Sequence, residues 1–204
     1  MEAVNKAISL LLLACAVTLA AAESQNFLNT AILELPPKYF ADTPRSERLK
    51  MLSQLSDWES DSRLDYCNGW LHWHSDSEDA LSTSMIYLKL LPRQNETPLV
   101  FIHMPKPFAD GSPPRKNQTF VLERVNQSWR DVTNSILPKE VDLMMHFRPR
   151  RAAAVIEVAP YERRTRNDRR GSYYGFGRRQ LDLAWNGSSF DIRQADSPEL
   201  SNDD

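Results

Sequence analysis

Cysteine is almost missing from this chain: of 204 residues, only Cys15 and Cys67 carry a thiol. Two cysteines cannot build the disulfide framework on which small exported domains rely, so stability has to come from an ordinary hydrophobic core. Glycine is scarce too, at 6 residues, and none belongs to a Gly-x-Ser-x-Gly elbow or a phosphate-binding loop. No His-Glu-x-x-His pair occurs either, which leaves the common serine-hydrolase, nucleotide-binding and zinc-peptidase readings without support. The most apolar stretch, Ala7 to Leu19, falls short of the roughly 20 residues that span a bilayer as a helix. Excess charge is lacking as well: 25 basic against 27 acidic side chains give a formal balance of -2, so only the distribution of charge is informative.

What is present begins at the amino terminus. Lys6, the apolar run that follows it, and the small residues Ala20, Ala21 and Ala22 ahead of Glu23-Ser24 have the form of a secretory signal peptide over residues 1–22. This predicts a secreted or periplasmic mature chain. Leu12-Leu13-Ala14-Cys15 also resembles a bacterial lipobox, and the alternative is therefore a lipid anchor through Cys15. Against that alternative, the apolar core continues through Ala16 to Ala20, where lipoproteins carry a polar tether. A cut after Ala22 leaves Cys67 as the single thiol, with a buried apolar cysteine as its ordinary reading. Sequons at Asn95, Asn117, Asn126 and Asn186 matter only in a eukaryotic secretory pathway. The signal and the cysteine poverty together lean toward a bacterial envelope.

Residues 23–42, with Pro36-Pro37, read as an extended lead-in. A helix is predicted from about Pro44 to Trp58, capped by Thr43, with Leu49, Leu52 and Leu55 and Met51 or Trp58 as its apolar stripe. Beyond Tyr66 the period becomes two. Candidate strands are Trp70 to His74, Met85 to Leu91, Leu99 to Met104, Phe120 to Val125, Trp129 to Thr133, Leu143 to Arg148, Ala153 to Ala159, Gly177 to Trp185 and Phe190 to Arg193. These imply an α+β fold: a single domain over residues 43–195, dominated by an antiparallel β-sheet or small sandwich, with one N-terminal helix packed on it. Residues 196–204 read as a disordered acidic tail.

Two hairpin registers follow from charge pairing. A four-residue loop from Asn186 to Ser189 sets Trp185 opposite Phe190, Leu183 opposite Ile192 and Asp182 opposite Arg193, whereas a two-residue turn would oppose Asp182 to Asp191. Either register puts Leu181, Leu183, Trp185, Phe190 and Ile192 on one buried face. At Asn126-Gln127 a two-residue turn sets Glu123 across from Arg130 and Val121 across from Val132.

Three constellations carry chemistry. His72 and His74, two apart on a strand, share a face and suit a metal pair, with a third ligand from His103, His146 or a carboxylate; the neighbouring methionines would favour copper. Their ordinary reading is a half-buried sheet face. Asp65-Tyr66-Cys67-Asn68-Gly69-Trp70 resembles, over six residues, the Asp-Cys-Ser-Gly start of cell-wall cysteine peptidases, which implies a Cys67-dependent hydrolase with His103 or His146 as base. It departs from that pattern by the inserted Tyr66, by Asn68 in place of serine and by the lack of a glycine-flanked histidine. The third constellation is a basic and aromatic segment, from Tyr161 to Arg179, that contains Arg163, Arg164, Arg166, Arg169, Arg170, Tyr173 and Tyr174. Guanidinium forks grip phosphate, sulfate or carboxylate in pairs, and the rings can stack on sugars. The expectation is a binding or structural protein without enzymatic activity or cofactor. Its partner would be an anionic polysaccharide, a lipid headgroup or another polyanion, against the plain alternative of a solvated loop.

Overall fold

Alternation of apolar and polar side chains produces twelve strands among the residues that the computed structural model describes, 25–55, 63–75, 84–105, 118–165 and 172–195. Strands β1 (Arg63–Asp65), β2 (Trp70–Ser75), β3 (Ser84–Arg93), β4 (Glu96–His103), β5 (Thr119–Val125) and β6 (Ser128–Asp131) form a meander in sequence order. Strands β7 (His146–Pro149), β8 (Val155–Ala159), β11 (Leu181–Trp185) and β12 (Phe190–Gln194) form a second sheet in the order β12-β11-β8-β7. Between β8 and β11 the chain leaves as a separate two-stranded hairpin, β9 (Tyr161–Thr165) and β10 (Ser172–Phe176). Every pairing is antiparallel. The architecture is thus the expected α+β one, sheet against sheet with helices on the outer face of the larger sheet. The segments 1–22 and 196–204 lie outside the described residues.

The helical layer differs from expectation. Residues 25–34, expected to be extended, form helix α1. Leu28, Ala31, Ile32 and Leu35 recur at helical spacing and are all buried, and Pro36-Pro37 stops the helix. A 3₁₀ turn, Pro37–Tyr39, leads into α2 (Arg45–Gln54). This helix starts one residue after Pro44 without a side-chain cap, so Thr43 does not cap it. It ends before Trp58, which lies outside the described residues. Met51 is buried and Leu52 and Leu55 pack partly against the core, but Leu49 is 45% exposed and leaves the predicted stripe.

Strand β3 is buried from Ile86 to Leu91 because both faces of the larger sheet are covered. Ile86, Leu88 and Leu90, with Leu71, Val100, Ile102 and Leu122, pack against the helices. Leu91, Leu99, Phe101 and Val121 face Phe147, Ile156, Val158 and Leu183 of the smaller sheet. Each such side chain removed from water contributes about 1.5–3 kcal/mol, so the two apolar layers supply the stability that disulfides do not.

Both hairpin registers take the expected form. Trp185 opposes Phe190, Leu183 opposes Ile192 and Asp182 opposes Arg193, and Asn186 Oδ1 accepts from the backbone N–H groups of Ser188 and Ser189 to hold the loop. Glu123 opposes Arg130, Val132 N donates to Val121 O at 2.9 Å, and Asn126 and Gln127 have φ of 48° and 65°, the primed turn that matches strand twist. One part of the burial reading fails: Ile192, on the edge strand β12, is 45% exposed, whereas Asp182 and Ala184 of β11 are buried.

Candidate functional site

Arginine is the residue type by which the sequence marks a surface, and the fold divides the arginines into two groups. Glu157, fully buried in β8, accepts from Arg150 Nε at 3.0 Å and lies 3.4 Å from Arg179 Nη1. Arg179 also grips Asp182 through two nitrogens, and Arg151 pairs with Asp65 at 2.6 Å. These three guanidiniums are each paired with carboxylates of the body. Arg163 and Arg164 fall instead in β9, and Tyr173 and Tyr174 in β10, where the register sets Arg163 opposite Tyr174 and Arg164 opposite Tyr173. Residues Arg166, Arg169 and Arg170 lie outside the described residues. The segment expected to be a loop is therefore a paired hairpin, consistent with its tyrosines and threonine, which favour strand. Its base is closed by Gly177 N donating to Pro160 O at 2.7 Å. A Cβ at Gly177 would meet the end of the exposed Glu162 side chain at 2.7 Å, so the two pack closely there.

Beneath the hairpin lies a polar row that the sequence did not reveal. His72, Tyr87, His103 and Thr119 are successive cross-strand partners on β2, β3, β4 and β5. The His72 ring lies flat on Tyr87 at 4.7 Å, and His103 Nδ1 is 2.8 Å from Thr119 Oγ1. From the smaller sheet His146 Nδ1 meets His103 Nε2 at 2.9 Å, and from β9 the Tyr161 hydroxyl comes to 3.4 Å from the same His103 nitrogen. The Tyr161 ring also sits edge-on to His146, 5.9 Å between centroids. Burial pushes His103 down to about 3. His146 is held well below its usual range by burial first, then by His103, Arg148 and His72. Burial likewise raises Tyr87 to about 12 and pushes Tyr161 upward. Burial therefore disfavours the charged forms of His103, His146, Tyr87 and Tyr161.

The metal expectation gains nothing from this geometry. Alternation does put His72 and His74 on one face of β2, opposite Tyr87 and Met85. The Tyr87 ring, however, stands between His72 and His103, and among the described residues no group of three His, Cys, Asp or Glu side chains suits a metal ion. Met104 packs with the helical core on the other face and its sulfur accepts from Ala41 N at 3.1 Å, so it does not join His103.

Cys67 is exposed rather than buried. It lies on the β1–β2 turn, which is shaped by Asp65 accepting from Asn68 N and Nδ2 and by Gly69 at φ 56°. The turn borders a cleft of about 770 Å³ lined mainly by Phe27, Gly69, Leu90, Pro92 and Arg93. Among the described residues no histidine lines this cleft, and His103 and His146 are buried elsewhere, hydrogen-bonded to each other. The turn also lacks the helix N-terminus that stabilises a catalytic thiolate. Comparison with protein-family models, with curated proteins and with solved structures finds no match for this chain.

Proposed function

We propose that this chain is an exported binding protein without enzymatic activity, and that it contacts polyanions through the β9–β10 hairpin. The observation that carries this reading is the segregation of the arginines. Those of the body, Arg150, Arg151 and Arg179, are consumed by internal carboxylates, while Arg163 and Arg164 belong to a hairpin that pairs with neither larger sheet. Arg178, at the foot of β10, is exposed. The ligand group is a sulfate, phosphate or carboxylate repeated along a polymer or a membrane surface, because guanidinium forks bind such groups in pairs and a row of them multiplies weak contacts.

The test is retention on immobilised heparin and on anionic lipid vesicles, each as a function of sodium chloride. Replacement of Arg163, Arg164, Arg169 and Arg170 by alanine is expected to move elution to lower salt and to flatten the salt dependence, with circular dichroism unchanged. Heparin binding without vesicle binding assigns a polysaccharide, and the reverse assigns a headgroup. Retention of the variant equal to that of the unaltered chain on both supports refutes the reading.

A further inference from the structure

We propose that two copies of this chain pair through the edge of the smaller sheet, β12 against β12 about a two-fold axis at Ile192, joining two four-stranded sheets into one. Such pairing does not depend on polyanion binding; it follows from the backbone and the charges of a single strand.

Strand β12 ends the order β12-β11-β8-β7, and among the described residues it pairs only with β11. Its bonds to β11 fix which way each backbone group turns. Asn186 N donates to Ser189 O and Ala195 N to Gln180 O, both in the register of the β11–β12 ladder. Backbone groups alternate sides along a strand, so Asp191 and Arg193 turn theirs toward β11, and Phe190, Ile192 and Gln194 turn their N–H and C=O outward. Asp191, Ile192, Arg193 and Gln194 are all exposed. An outward row of donors and acceptors, with an apolar side chain at its centre, is a template for a further strand.

A second copy is the occupant that fits, because the strand complements itself. With Ile192 on the axis and the strands antiparallel, Asp191 of each copy falls opposite Arg193 of the other, and Phe190 falls opposite Gln194. The two Ile192 residues exchange a pair of hydrogen bonds, as does each Phe190–Gln194 match, so every outward group is satisfied. Asp191 and Arg193 then occupy the non-hydrogen-bonded positions, where facing side chains come closest. Asp191 Oδ1 accepts from Asn186 Nδ2 at 3.2 Å, an exposed contact that engages one carboxylate oxygen. Sliding the copies by two residues sets Asp191 against Asp191 in one direction and Arg193 against Arg193 in the other, so charge selects a single register. The other edges lack this self-complementarity. Strand β7 ends in Pro149, which has no N–H to give, and on β1 and β6 Asp65 and Arg130 are engaged by Arg151 and Glu123. A seam of five residues per copy is small against the roughly 800 Å² per partner of a standard interface, so the dimer is a weak one, formed at micromolar concentrations and above.

Sedimentation equilibrium of the full chain at low salt, from about 5 to about 500 µM, is expected to show reversible association of monomer to dimer. Asp191→Lys and Arg193→Glu, each alone, set like charges along the seam and should weaken the association about tenfold or more. Mixed in equal amounts, the two variants face each other with opposite charges at both matches, and the heterodimer should recover most of what each lost. Ile192→Pro deletes an outward N–H that β11 does not use, and should give a monomer with unchanged circular dichroism. Should one charge variant fail to fold, the other and Ile192→Pro decide the matter. A chain that stays monomeric to the top of the range, association unchanged in the folded variants, or a mixture that associates no better than its components overturns the proposal.

Discussion

Replacing Arg48 by methionine tests how the helical layer is held to itself. Helix α1 ends at residue 34, so its last carbonyls have no N–H partner within the helix. Arg48 of α2, only 2% exposed, supplies one: its Nη1 donates to Ile32 O and Leu35 O, each at 2.8 Å, while the guanidinium lies over the Phe40 ring at 5.0 Å. Burial, then the charge of Arg45, lowers the affinity of this group for its proton, so the site carries a real desolvation cost. Two charge-assisted bonds contribute about 1.5–3 kcal/mol each by substitution, and relief of guanidinium burial returns part of that. Methionine keeps most of the stem volume and strands both carbonyls, for an expected loss of about 3 kcal/mol. Alanine adds a cavity and costs about 1–2 kcal/mol more. In urea unfolding followed by tryptophan fluorescence, a slope near 2 kcal/mol/M turns the methionine loss into a midpoint about 1.5 M lower. Exchange of α1 amides should accelerate more than that of β3. A methionine variant within about 0.5 kcal/mol of the original, or more stable than it, refutes the assignment of Arg48 as the tie between the helices, since the carbonyls would then be satisfied some other way.

Three further substitutions probe the sheets. Glu157→Gln removes the buried charge that faces Arg150 and Arg179; with Asp182 left to hold Arg179, the expected loss is about 3 kcal/mol, seen as a melting temperature about 10 °C lower. Gly69→Ala combines a φ of 56° with a Cβ placed 2.8 Å from Leu90 Cβ, and should cost about 1–3 kcal/mol in urea unfolding. Gly187→Ala has a φ of 104° but nothing within 4 Å, so only its backbone strain should register.

The strands were legible because their signal is local. Alternation over five to eight residues survives in any context, and a hairpin's register is fixed by its few turn residues and the charges flanking them, as Asp182 with Arg193 and Glu123 with Arg130 illustrate. Helix α1 was equally present in the sequence, in Leu28, Ala31, Ile32 and Leu35, but the prolines after it favoured an extended reading. Leu49 shows the opposite error: a residue at helical spacing stays outside because α2 turns Arg48 and Met51, not Leu49, toward the core.

The sequence by itself determined the antiparallel α+β class, the hairpin registers and the position of the arginine-rich segment, all properties set by neighbours a few residues apart. Only the tertiary structure decided which arginines are spent on Glu157, Asp182 and Asp65 and which belong to the hairpin, since an ion pair such as Arg151 with Asp65 spans 86 positions of chain. It alone brought His103, His146 and Tyr161 together, across 43 and 58 residues. Contacts of that kind leave no periodic trace in sequence: they arise where strands from two sheets and a hairpin are packed against one another, and the hydrophobic burial that drives this packing is indifferent to which polar groups it encloses.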